Sequence, residues 1–154
     1  VTTHDIAPED RPEDRPEGWR ELKIDGFMAL IGPLLRATAR DRKHSYALQT
    51  NEGHKNHLGV IHGGVITSLL DQVMAITAWN AADRQPTVTV QMETRFTGGA
   101  RVGDFLQIQA SIRQATRSLI FVEADITCDD RLIASASAVM KISKTSGKAS
   151  EKTS

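Results

Sequence analysis

NHLGVIHGGVITSLLDQVMAITAWNAA, running from Asn56 to Ala82, is the stretch whose reading decides the fold. Gly63-Gly64 opens its second part, and Val65, Ile66, Leu69, Leu70, Val73, Met74 and Ile76 follow at helical spacing. Their apolar face is very wide, and a helix apolar round most of its circumference is a buried one. The spacing predicts a long buried helix from Val65 to about Ala82. Thr67, Ser68 and Asp71 interrupt it as a single narrow polar stripe, because residues three and four apart are neighbours on a helix surface.

Downstream of Pro86 the period changes from helical to two. In 87–96, Val88, Val90, Met92 and Phe96 share a face; in 105–113, Leu106, Ile108, Ala110 and Ile112 do. In 118–128 the set is Ile120, Val122, Ala124, Ile126 and Cys128, and in 131–142 it is Leu132, Ala134, Ala136, Ala138, Met140 and Ile142. Four such runs, parted by turn signals at Gly98-Gly99 to Gly103-Asp104, Thr116-Arg117 and Asp129-Asp130, predict a meander of antiparallel strands. The alanines of the last run leave room for a bulky neighbour, and the buried helix is the obvious one. Upstream, Phe27 to Leu35 is an apolar run broken by Gly32-Pro33, which predicts a short helix and then a turn; 43–52 is a strand candidate. The order is strand, long helix, four antiparallel strands: an α+β fold, with an antiparallel β-sheet wrapped around one long central helix. Residues 1–18 are acidic and proline-rich and read as a flexible leader, 19–144 as the domain, and 145–154 as a flexible tail.

Composition bounds the function. The chain has 154 residues, zero formal net charge and 40% hydrophobic residues, as a soluble single domain does. Zero net charge argues against nucleic-acid binding. No apolar run approaches the roughly 20 residues of a membrane-spanning helix, and the first residues lack signal-peptide character, so the expected location is cytoplasmic. The single cysteine, Cys128, allows no cysteine-based zinc site. His44, His54 and His57 show no metal-ligand spacing, so no metal is expected.

The chemistry concentrates around the helix start. Backbone N–H groups at Gly63-Gly64 are orphan donors backed by the helix dipole, suited to an anion or a developing oxyanion; the plainer alternative is a tight loop entering a helix. Asp71, about two turns in, is either an interface or solvent-facing carboxylate, or a general base or nucleophile. His62 and Asn56 are loop residues or donors beside the same N–H groups. Ser68 lacks the strand–turn–helix elbow of a hydrolase serine. Thr89 sits opposite the Val88 and Val90 face and matters only if its face meets Asp71. Gly63 and Asp71 lie about 12 Å apart along a helix, so a shared reacting carbon requires two chains, with Gly63 from one and Asp71 from the other.

Asn56, Gly59, His62-Gly63-Gly64 and Asp71 together resemble the signature of hotdog-fold acyl-CoA thioesterases of the phenylacetate-pathway (PaaI-like) type. Gly103-Asp104 before a strand is similar too, and the likeness spans about Gly26 to Ser143. The resemblance implies the hotdog fold and hydrolysis of an acyl-CoA thioester without metal or redox cofactor. It implies homodimers that pair into homotetramers. It gives the Gly63 N–H the thioester carbonyl, with Gly64 beside it, and Asn56 and His62 the thioester group. Asp71 from the facing subunit activates water or attacks directly, oriented by Thr89. Arg117 and Ser118 are expected to meet coenzyme A, with Arg95 as an alternative. His57 stands where relatives often carry proline after the motif asparagine. A hotdog dehydratase, a non-catalytic acyl-CoA sensor and a purely structural dimer remain the competing readings.

Overall fold

The computed structural model describes residues 16–42 and 45–144. Most of the expected leader, the expected tail 145–154, and His44 lie outside the described residues. The elements are β1 (Trp19–Leu22), α1 (Phe27–Ile31), β2 (Leu34–Ala37), β3 (Ser45–Gln49), α2 (Gly63–Ala81), β4 (Thr87–Phe96), β5 (Phe105–Ala115), β6 (Leu119–Cys128) and β7 (Arg131–Ile142). The strands form one seven-stranded antiparallel sheet in the order β1-β2-β3-β5-β6-β7-β4. α2 lies across its inner face, packed on β4, β5, β6 and β7. This is the hotdog arrangement expected from the periodicities.

Burial explains why α2 forms. Leu69, Leu70, Val73, Met74 and Ala78 are completely buried, and each large apolar side chain hidden from water is worth about 1.5–3 kcal/mol. On the inner face of β7, Ala134, Ala136 and Ala138 are nearly inaccessible. Thr77 sits inside the core only because its hydroxyl donates to the Val73 carbonyl at 2.8 Å.

The structure corrects the expected layout in four places. First, β1 and β2 extend the sheet, and Leu34-Leu35 belong to β2 rather than to a turn. Their backbone groups pair with β1 and β3. Second, the last four strands are not a simple meander. β4 pairs with β7 at the far edge, and the segment 97–104 carries the chain back to β5. That segment is fastened by bonds from Gly98 N–H to Ile133 O, from Ile61 N–H to Ala100 O and from Thr50 N–H to Asp104 O. A Cβ on Gly98 would stand 2.9 Å from the Leu132 carbonyl oxygen, so only glycine passes there.

Third, the period in β4 breaks. Thr89 faces Met140 but Gln91 faces Val139, leaving Val90 as an extra residue in a β-bulge. A one-residue insertion flips every side chain beyond it. Met92 and Phe96 therefore share the inner face with Thr89, while Val88 and Val90 are 51% and 54% exposed on the other side. Fourth, a similar shift between Ile126 and Thr127 turns Leu132 outward and buries Ile133 in its place. At Asp129-Asp130 both residues have positive φ, 47° and 64°, the two-residue hairpin geometry that matches strand twist.

Ala136 is buried on the inner face of β7, so Ala136→Leu overpacks the core. Denaturant unfolding is expected to show a loss of about 1–3 kcal/mol; an unchanged midpoint would show that the helix has room to spare.

Candidate active site

The loop before α2 is built by its own polar groups. The Asn56 side-chain oxygen accepts from Leu58 N–H at 2.9 Å and Val60 N–H at 3.2 Å. The Asn56 backbone N–H donates to Val60 O, and Gly59, with φ of 79°, donates to Asn56 O. Asn56 therefore holds the loop closed, and its side-chain NH₂ has no partner among the described residues.

His62 is the N-cap of α2. Its Nδ1 accepts from the Gly64 N–H at 2.8 Å. In the neutral ring, Nε2 then carries the hydrogen and is a donor on an exposed side chain. The glycine pair consequently divides its work. The Gly64 N–H, expected to serve the substrate, here donates to His62. The Gly63 N–H has no acceptor among the described residues. A Cβ on Gly64 would stand 2.9 Å from Nδ1 and 3.2 Å from Cε1 of His62, whereas one on Gly63 would only touch the Phe96 ring at 3.5 Å.

Asp71 emerges on the half-buried side of α2 and meets β4. The Thr89 hydroxyl donates to Asp71 Oδ1 at 2.7 Å and lies 3.2 Å from Met140 Sδ. The Val90 bulge accounts for this meeting, since it permits Thr89 and Phe96 to face α2 together from opposite ends of β4. Gly63 lies at the Phe96 end and Asp71 at the Thr89 end. Within one chain the N–H donor and the carboxylate are thus held apart.

The remaining candidates divide. Arg117 and Ser118 sit exposed in the β5–β6 turn, where Ser118 O accepts from Ile142 N–H; Ile142 pairs with Thr87, so this turn flanks the Asp71 end of β4. Arg95 lies on the outer face, its guanidinium 2.6 Å from Glu93 Oε1, beside an open groove of about 550 Å³ also lined by Glu123, Asp125 and Ser135. It faces away from Gly63 and Asp71. Ser68 donates to Gly64 O at 2.6 Å and is tied to its own helix. Cys128 is buried, and burial, reinforced by Asp104 and Asp129, pushes its thiol up. Among the described residues no three metal-ligating side chains cluster.

Sequence reasoning missed His54. It is 3% exposed, its Nδ1 accepts from Asn51 N–H at 2.9 Å, and its Nε2 lies 2.6 Å from Ile31 O. Its own carbonyl accepts from His62 N–H at 2.8 Å. The ring fastens α1 to the site loop, and the carbonyl fixes the residue that caps α2. The one signal was the Asn51-to-His54 spacing of a reciprocal cap.

A family model described as the thioesterase superfamily matches residues 58–135. A Pseudomonas aeruginosa protein named "Putative esterase" is 33% identical over 128 residues, 82% of this chain and 96% of that one. Mouse acyl-coenzyme A thioesterase 13 is 27% identical over 105 residues, covering 68% of this chain and 75% of its own. Among solved structures, zebrafish thioesterase superfamily member 2 superposes with a TM-score of 0.63 at 20% identity, covering 82% of each chain. A Streptococcus pneumoniae hypothetical thioesterase with coenzyme A gives 0.61 at 18% identity, covering 82% of this chain and 90% of its own. These two likenesses speak to the fold. The chain belongs to the thioesterase superfamily.

The two glycines are expected to respond differently to a methyl group. Gly64→Ala displaces the His62 cap, which is worth about 0.5–2 kcal/mol, whereas Gly63→Ala adds only an ordinary contact. Chemical denaturation should find Gly64→Ala the less stable by about 1 kcal/mol; equal stabilities would mean that the His62 bond contributes nothing.

Proposed function

We propose that this thioester hydrolase acts on acyl-CoA, and that each of its sites is completed by two copies of the chain. The observation that carries the reading is the Thr89–Asp71 hydrogen bond of 2.7 Å, set at the opposite end of β4 from the unpartnered Gly63 N–H. Such an arrangement is useless within one chain and complementary between two. β4 is an edge strand with exposed Val88 and Val90, and an open apolar edge is a template for pairing. Two β4 edges joined antiparallel about a two-fold axis place the Phe96 end of one beside the Thr89 end of the other. Gly63 then meets Asp71 of the partner subunit, and the site occurs twice.

In this reading the thioester carbonyl oxygen takes the Gly63 N–H and the His62 Nε2–H, donors that strengthen as negative charge develops there. Asn56 NH₂ steadies the thioester. Asp71, oriented by the Thr89 hydroxyl, removes a proton from water as its oxygen bonds to the carbonyl carbon. The C–S bond then breaks, the acid departs, and the proton passes to the coenzyme A sulfur. Direct attack by Asp71, giving a mixed anhydride that water cleaves, has the same balance. Neither route calls on a metal or redox cofactor. Arg117 and Ser118, beside the Asp71 end, are placed to meet coenzyme A.

The test exploits the helix start. Gly63 is the first helical residue, a position that tolerates proline because its N–H makes no helical bond. His62 before it has φ −60° and ψ 133°, the conformation that precedes proline. Gly63→Pro therefore deletes the donor and suits the helix start, and Gly63→Ala, which keeps the donor but also adds a Cβ beside the Phe96 ring, serves as the control for bulk. Thiol release from benzoyl-, phenylacetyl- and straight-chain acyl-CoA is expected from the wild type. Gly63→Pro should lower kcat by about 10²–10³-fold, Asp71→Asn by at least about 10²-fold, and Thr89→Ala by about tenfold or less. Mixing the Gly63→Pro and Asp71→Asn chains after unfolding gives heterodimers with one intact site. Activity should return; its failure to return would sink the two-chain site, and inactivity of the wild type on every thioester would sink the enzyme reading.

A further inference from the structure

Phe96 is an anomaly on the inner face. Its β7 partner Ala134 is fully buried, and Met92 of the same strand packs against the core, yet Phe96 is 57% exposed. A large aromatic ring left in water is the kind of surface that a ligand or partner covers. Its position is specific. The ring edge, Cε1 and Cζ, lies 3.5 Å from where a Cβ of Gly63 would be. An alanine at 63 would just fill the space, so glycine leaves a slot about one methyl group thick between the ring and the first turn of α2. The Gly63 N–H without an acceptor belongs to the same residue. Other large side chains of α2 are engaged elsewhere: Met74 is fully buried, and Trp79 stacks on Arg84 at 5.4 Å near the other end of α2.

We infer that Phe96 is a specificity-determining residue, whose ring forms the wall against which an uncharged, apolar acyl group of several carbons lies while its carbonyl oxygen rests on Gly63. The inference rests on the acyl-CoA reading above and adds the acyl class. A carbonyl held at the Gly63 N–H sends one substituent along the slot, and apolar carbons there are sheltered by the ring. Acetyl has too few carbons to reach along it. A charged acyl terminus has to be desolvated against it. The ring contacts bound substrate in the ground state and takes no part in proton transfer.

The experiment separates this inference from the hydrolase reading by measuring binding as well as turnover. Hexanoyl-CoA, acetyl-CoA and succinyl-CoA are titrated calorimetrically into Asp71→Asn, which suppresses hydrolysis, with and without Phe96→Ala. Phe96→Leu serves as a second variant that keeps apolar bulk, and circular dichroism reports folding. We expect hexanoyl-CoA to bind more tightly than the other two. Phe96→Ala should reduce its advantage over acetyl-CoA by about tenfold, within the range by which an apolar pocket discriminates, and Phe96→Leu should reduce it less. An equal loss for all three ligands would place the ring against the common coenzyme A arm and overturn the inference, as would an unchanged preference or none to begin with. If the preference falls as expected while the wild type hydrolyses nothing, the acyl wall stands and the hydrolase reading falls. If wild-type turnover is normal and the preference is insensitive to Phe96, the reverse holds. If no thioester binds to any variant, both fall.

Discussion

A 19-residue helix whose apolar side chains cover most of its circumference has to be enclosed, and the rest of the fold answers that constraint. One flat sheet covers one side of a helix. A sheet that twists and curls covers more of it: α2 packs on β4, β5, β6 and β7, and β7 lines its inner face with small alanines. The strip left uncovered is the one carrying Thr67, Ser68 and Asp71, each only half-buried. The polar stripe and the gap in the enclosure are the same feature. A carboxylate beyond the second turn of a core helix is tolerable because that side faces a strand edge instead of the core.

Much of this was legible in the sequence, for a physical reason. Burial imposes period, so α2 and the inner faces of β5 and β6 follow directly from the spacing of Leu69, Val73, Ile108, Val122 and their neighbours. The bulges were not legible. Val88 and Val90 look like core residues, and nothing in TVTVQMETRF marks Val90 as the residue that slips. Its cause lies in the pairing with β7, a long-range contact that no local pattern encodes. Leu132 and Ile133 are the same case. β1 and β2 escaped notice because four-residue strands are too short to display a period.

The site was legible in its residue types and less so in their division of labour. Asn56, His62, Gly63 and Asp71 stood out in the sequence, but nothing there showed that the Gly64 N–H would be engaged by His62. The structure makes the two glycines unequal. Gly64 is glycine so that the His62 ring can lie over it and cap the helix, and Gly63 is glycine without any need of the chain's own packing. The cap also fixes the imidazole tautomer, which turns a loop histidine into an outward-facing donor. Behind it, the His54 carbonyl holds the backbone of His62 while its ring reaches Ile31, so hydrogen bonds link α1 to the site loop. A buried histidine with both nitrogens engaged is indistinguishable in sequence from a solvent-facing one, which is why His54 passed as an ordinary loop residue.

The bulge ties these strands of reasoning together. Had β4 kept a strict alternation, Thr89 and Phe96 would face opposite sides of the sheet, since they are an odd number of residues apart. One of the two could then not address α2. By inserting Val90, the strand turns both inward, one at each end, and presents the valines outward. β4 thereby works as a ruler. Thr89 meets Asp71 at one end and the Phe96 ring lies beside Gly63 at the other, two points about 12 Å apart along α2, and the pairing proposed above would set one end of β4 against the other end of its copy.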